Sequence, residues 1–146
     1  MSETTRRTSR TLQVLEREFD TLFDRVPGLY GVLFCTADGD PIVERFERQM
    51  DRDRLAAMAS SLVALGGTMA RTGGQQHCDY MIVQSHDGFI VSLHIGRNLL
   101  LSALARRDTN LGMLLSSCRA TSESVSARMS GAPITSRGGQ SDEQDR

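Results

Sequence analysis

Lysine is absent from all 146 residues, so every one of the 17 basic side chains is arginine. This removes the phosphate-holding lysine of a P-loop. The glycine pairs Gly66-Gly67 and Gly73-Gly74 fall at the middle and end of a helical stretch, whereas phosphates are held at helix N-termini. Nucleotide hydrolysis by that route is excluded. Tryptophan is also missing and aromatics make up only 5%, which argues against stacking platforms for bases or sugars. The three cysteines, Cys35, Cys78 and Cys118, form no CxxC pair, so the expectation is reduced thiols in a cytoplasmic protein and no disulfide framework. No stretch approaches the roughly 20 apolar residues of a membrane span. The opening MSETTRRTSR is followed by no apolar run, so no secretory leader is expected. A net charge of -1 supplies no global field for nucleic acid or anionic lipid.

What the chain does have is an ordinary apolar content, 39% hydrophobic residues with 13 glycines, enough for one domain with a real core. Its organising stretch is Asp51 to Gly74, which reads as one amphipathic helix capped by Asp51 or Asp53. Leu55, Met58, Leu62, Leu65 and Met69 recur at steps of three and four, the stripe a helix presents to a core. A second stripe, Ala56, Ala59, Ser60, Val63, Gly67 and Ala70, is nearly all small. Gly66 and Gly67 each cost about 1 kcal/mol against alanine inside a helix, so close packing is their natural reason. Either the small face lies flat on a sheet of the same domain, or the large face covers that sheet and the small face meets a second protein.

Around this helix the remaining elements follow in order. Residues 1–8 are polar and expected to fray, with Thr8 or Ser9 capping a first helix whose inward stripe is Leu12, Leu15, Phe19, Leu22 and Val26. Pro27-Gly28 ends it. Leu29 to Thr36 is apolar on both alternating sets, as in a strand covered on two faces. Ala37-Asp38-Gly39-Asp40 is a hairpin turn, and Pro41 to Phe46 suits an edge strand through Pro41, Glu44 and Arg45. After the central helix come strands at 78–85 and 89–95 and a fifth, Leu99 to Ala105, joined by glycine turns. A last helix starts at Asp108 or Thr109, with Leu111, Leu114, Leu115, Cys118, Val125 and Met129 inward and a polar middle. From residue 131 the composition turns polar and disorder is expected. The order α-β-β-α-β-β-β-α, dominated by hairpins, gives an α/β (α+β) sandwich on a five-stranded antiparallel sheet over residues 9–130.

Searches for chemistry end in bland readings. His77, Cys78, His86 and His94 match no zinc spacing, so no metal is expected. Cys78 with His77, His86 or Asp79 marks no nucleophile, since nothing supplies an oxyanion hole. Asp38 and Asp40 serve a hairpin and Asp51 and Asp53 a helix start, without calcium-loop spacing. Arg6, Arg7, Arg10, Arg106 and Arg107 are small basic clusters whose default is solvation. The expectation is no catalytic residue, no cofactor and no enzyme.

Taken together, VPGLYGVLFCTADGDPIVERF, the LAAMASSLVALG helix, YMIVQSHDGFIVSLHIG and DTNLGMLL resemble the roadblock/dynein-light-chain family over roughly residues 10–129. The carrying residues are Gly31-Val32-Leu33, Asp38-Gly39, Pro41, Asp87-Gly88 and Asn110-Leu111-Gly112 in that order. The resemblance implies a profilin- or roadblock-like sandwich and a homodimer. Ala56, Ala59, Ser60, Val63 and Gly67 would then lie where the two long helices cross, and Tyr80 and Ile82 where the two sheets join. It further implies a regulator or scaffold of a small Ras-like GTPase, with Arg52, Arg54 and Arg71 as candidates to touch that partner. The alternatives are a dimeric adaptor in a motility, motor or signalling complex with no effect on nucleotide turnover, and a small-molecule sensor. Neither nucleic acid nor membrane insertion is expected. The charged link Glu47 to Met50 and the polar middle of the last helix depart from the family's pattern and bear on the partner more than on the fold.

Overall fold

In the computed structural model, residues 2–130 are described. They form α1 (Glu3–Arg25), β1 (Leu29–Thr36), β2 (Pro41–Phe46), α2 (Arg52–Thr72), β3 (Met81–Ser85), β4 (Gly88–Ile95), β5 (Leu99–Arg106) and α3 (Leu111–Ser130). The order of elements is the expected one, and the fifth strand is a strand. Two helix starts differ. Ser2 caps α1 by accepting the Thr5 N–H, so the helix begins well before Thr8. Asn110 caps α3 by accepting the Met113 N–H at 2.9 Å, one residue beyond Thr109 and two beyond Asp108. The reading of a disordered tail from residue 131 lies outside the described residues.

All neighbouring strands are antiparallel, in the spatial order β2-β1-β5-β4-β3. Alternation along the strands sends Val32, Phe34, Val91, Leu93, Leu101 and Ala103 to one face. There α1 and α3 cover them with Leu15, Phe19, Leu22, Leu114 and Val125. The polar middle of α3 is held rather than loose: Ser117 and Thr121 are buried. Ser124 also donates at 2.8 Å to the buried Glu18 carboxylate of α1. The other face carries Leu33, Cys35 and Leu100 under α2, a thinner second core.

The two edges of the sheet are dressed differently. On β2, Pro41 lacks a donor, Glu44 pairs with Arg52 at 2.8 Å, and Arg45 pairs with Asp20 at 2.8 Å over the Phe19 ring. On β3, Met81 to Ser85 holds no proline and no charge, and Ile82 and Val83 are exposed.

Candidate functional site

The helix α2 lies on the sheet with its small stripe inward. Ala56, Ala59, Val63 and Gly66 are its buried residues, and the Ser60 hydroxyl donates at 2.6 Å to the Ala37 carbonyl in the β1–β2 turn. Gly39, at φ +98°, allows that turn to pass against Ala57 and Ser60. The small face therefore packs on the chain's own sheet, which corrects the assignment of Ala56, Ala59, Ser60 and Val63 to a crossing between two copies. The physical reason is thickness. Leu33, Cys35 and Leu100 already fill that layer, so only a helix with short side chains can lie flat on them. Gly67 is half-exposed on the flank, with Arg71 beside it.

The large stripe consequently faces outward. Met58 is 61% exposed, Leu65 61% and Met69 67%, a contiguous row along one side of α2. Beside it runs a groove of about 210 Å³ between α2 and the bare half of the sheet. Leu55, Met58 and Leu62 form one wall, with Val83, Ile90 and Leu104 opposite. Its polar groups are Ser92 and Ser102, buried at the floor and bonded to each other at 2.7 Å. The two hydroxyls satisfy one another and offer no convergent set of groups for a small ligand. The groove opens towards β3, whose Val83 belongs to both features. Periodicity had located this stripe but could not say which face of the helix met the sheet.

The other named residues disperse. Tyr80 is half-buried beside α3, with Arg119 over its ring at 5.7 Å, and Ile82 is exposed on the edge strand. Arg52 is committed to Glu44. Arg54 is exposed, and Arg71 reaches Thr68 at 3.5 Å. His77 pairs with Asp79 at 3.3 Å on the surface. Among the described residues no group of three or more His, Cys, Asp or Glu side chains is placed to hold a metal. Burial pushes the Cys118 thiol up to about 12. Burial first, then the charge of Asp40, pushes Cys35 up to about 11, so both thiols are inert at neutral pH. No helix among the described residues is long and apolar enough to cross a membrane.

An antiparallel sandwich that offers an apolar stripe and an open edge, rather than a cleft of reactive groups, is the geometry of an adaptor or regulator domain. Residues 15–105 match the family model of the Roadblock/LC7 domain, and the chain belongs to that family. Solved structures carry the same fold. A Roadblock/LC7 domain from Streptomyces avermitilis is 22% identical with a TM-score of 0.69, over 76% of this chain and 93% of that one. The gliding protein MglB of Thermus thermophilus is 17% identical with a TM-score of 0.71, over 86% and 93%. MglC of Myxococcus xanthus is 16% identical with a TM-score of 0.58, over 79% and 98%. No curated protein sequence matches.

Proposed function

We propose that this chain is a non-catalytic, cytoplasmic homodimer that binds a small Ras-like GTPase and modulates its GTP hydrolysis or its localisation. The observation that carries the dimer is the continuity of three unpartnered features: the α2 stripe, the groove beside it and the β3 edge. Four large apolar side chains, Met58, Leu65, Met69 and Val83, gather on that side, with Ile82 exposed on the other face of the same edge strand. A two-fold axis beside β3 pairs its free backbone groups with those of a second copy and buries the α2 stripes together. The interface residues on α2 are then Met58, Leu62, Leu65 and Met69, in place of the small stripe.

The GTPase assignment rests on membership of the Roadblock/LC7 family and on the likeness to MglB. A dimer of this kind acts by holding switch segments of its partner in one arrangement and shifting their population. The pairing of Arg52 with Glu44 favours a second reading, a passive adaptor, because it removes one candidate for a charge donated to the nucleotide. Mixing the chain with its cognate GTPase and following phosphate release separates the two. A changed rate supports regulation of turnover; binding with an unchanged rate leaves localisation or scaffolding. No binding at all sinks the GTPase assignment.

A further inference from the structure

The charged link Glu47 to Met50, which the proposed dimer leaves unused, begins beside a bulge in β1. Leu29 stands opposite Ala105 and Gly31 opposite Leu104, so Tyr30 is an extra residue with no partner on β5. A bulge of this kind bends the strand and re-aims its side chain. The Tyr30 ring is half-buried and carries two cations. The Arg48 guanidinium lies over it at 4.3 Å, and that of Arg106 stands at 5.7 Å.

The two arginines are in different states. Arg106 is occupied: its Nη2 donates to Glu47 Oε1 at 2.9 Å and its Nη1 to the Gly28 carbonyl at 3.4 Å. Glu47 is fixed in turn by its backbone N–H, which donates to the Tyr30 carbonyl at 2.9 Å. Arg48 makes neither an ion pair nor a side-chain hydrogen bond among the described residues. Its nearest acid in sequence is taken by Arg106. The ring attracts the Arg48 charge but supplies no lone pair, so the N–H fork is held in place and left open.

We infer that Arg48 and Tyr30 form a docking point for an acidic segment of a partner protein, one carboxylate of which takes the open fork. Charge selects that occupant. At this end of the sheet Arg48, Arg106 and Arg107 stand against Glu47 and Asp108, an excess of one positive charge. A single carboxylate balances it, whereas a doubly charged phosphate or a dense row of phosphates also meets the Glu47 carboxylate. Guanidinium and carboxylate match through two parallel N–H···O bonds, and a fork already seated on a ring loses less freedom on binding. On an open surface one ion pair contributes little, so a small free acid is not held. A peptide chain lays further atoms on the ring beside the fork. The site lies at the end of β2, the edge opposite β3, so each chain carries a complete copy whether or not it pairs along β3.

An NMR titration of the full chain tests this, with a 12-residue peptide of alternating glutamate and serine as the probe. The expected result is saturable binding of one peptide per chain that shifts the Arg48 Nε–Hε and Tyr30 ring signals. Arg97, exposed in the turn at the opposite end of the sheet, should not move. Arg48→Ala and Arg48→Lys should each weaken binding about fivefold, the second although it keeps the charge. Tyr30→Leu also keeps the charge and should weaken binding by releasing the fork, while Arg97→Ala leaves it unchanged. Equal losses at Arg48 and Arg97 would make the attraction diffuse, and full affinity in Arg48→Lys would leave a point charge without a fork. Either result overturns the docking point, as does the lack of saturable binding. It is overturned too if inorganic phosphate or phosphatidylglycerol vesicles move the Arg48 signal at lower concentration than the peptide.

Discussion

Gly66 of α2 and Met81 of β3 are in direct register: a methyl group on the glycine would overlap the methionine sulfur and meet the Cys78 Sγ at 3.2 Å. Gly67, one residue on, has only the Arg71 guanidinium within reach, at 3.5 Å. The two glycines therefore differ in purpose. Gly67→Ala should stabilise the fold by about 0.5–1 kcal/mol through helix propensity. Gly66→Ala gains the same propensity but forces Met81 and Cys78 aside, for a net loss of about 1 kcal/mol. Urea unfolding at one fixed protein concentration gives both values. Equal effects at the two positions would show that β3 does not depend on the close approach.

Leu65→Arg is expected to halve the sedimenting mass while leaving the circular dichroism spectrum unchanged. In a single copy Leu65 is 61% exposed, so its loss costs the isolated fold little. Ala59→Arg should behave oppositely. Ala59 is 6% exposed beneath α2, and an arginine there costs about 3 kcal/mol or more by burying an unpaired charge. If Ala59→Arg folds normally and only dissociates, α2 is turned the other way.

The Ser92–Ser102 pair is open to a double-mutant cycle. Replacing either serine by alanine strands a buried hydroxyl and is expected to cost about 1–2 kcal/mol. Replacing both removes donor and acceptor together, so the double variant should cost clearly less than the sum of the single ones. Additive losses would mean the two hydroxyls do not interact.

Thiol labelling under native conditions should modify Cys78, which is half-exposed, and spare Cys35 and Cys118 until the chain unfolds. The same burial has a pH signature. The ordinary thiol value is 9.0, and Cys118 is raised to about 12 in the folded chain. Between those values the unfolded thiol loses its proton while the folded one keeps it, so the contribution is full below pH 9 and erodes above it. The slope is roughly 1.4 kcal/mol per pH unit for one such group. Cys118→Ala should flatten the alkaline limb of the stability curve; an unchanged limb would mean the thiol is not buried.

Much of the fold was legible because strand alternation and turn chemistry act locally. The Asp-Gly turns fixed the hairpins, and the doubly apolar run at Leu29 to Thr36 marked an interior strand. The orientation of α2 was not legible. Its two stripes both fit a helix face, and the choice between them depends on how thick a layer Leu33, Cys35 and Leu100 leave, a property of residues distant in sequence. The start of α1 was missed for a related reason. Thr4, Thr5 and Thr8 are poor helix formers, but the Ser2 cap, which accepts the Thr5 N–H, starts the helix ahead of them. Tyr80 and Ile82 were named for the sheet junction from the family pattern. Only the placement of α3 over β4, short of β3, decides that Tyr80 is half-buried and Ile82 exposed.

The unequal dressing of the two sheet edges sets how far assembly can go. Once a second copy has joined along β3, both ends of the extended sheet are β2, where a donor-less proline and ion-paired side chains face any incoming strand. Growth has a stop built into the monomer. A single bare edge yields a finite pair, where two bare edges would seed a fibre.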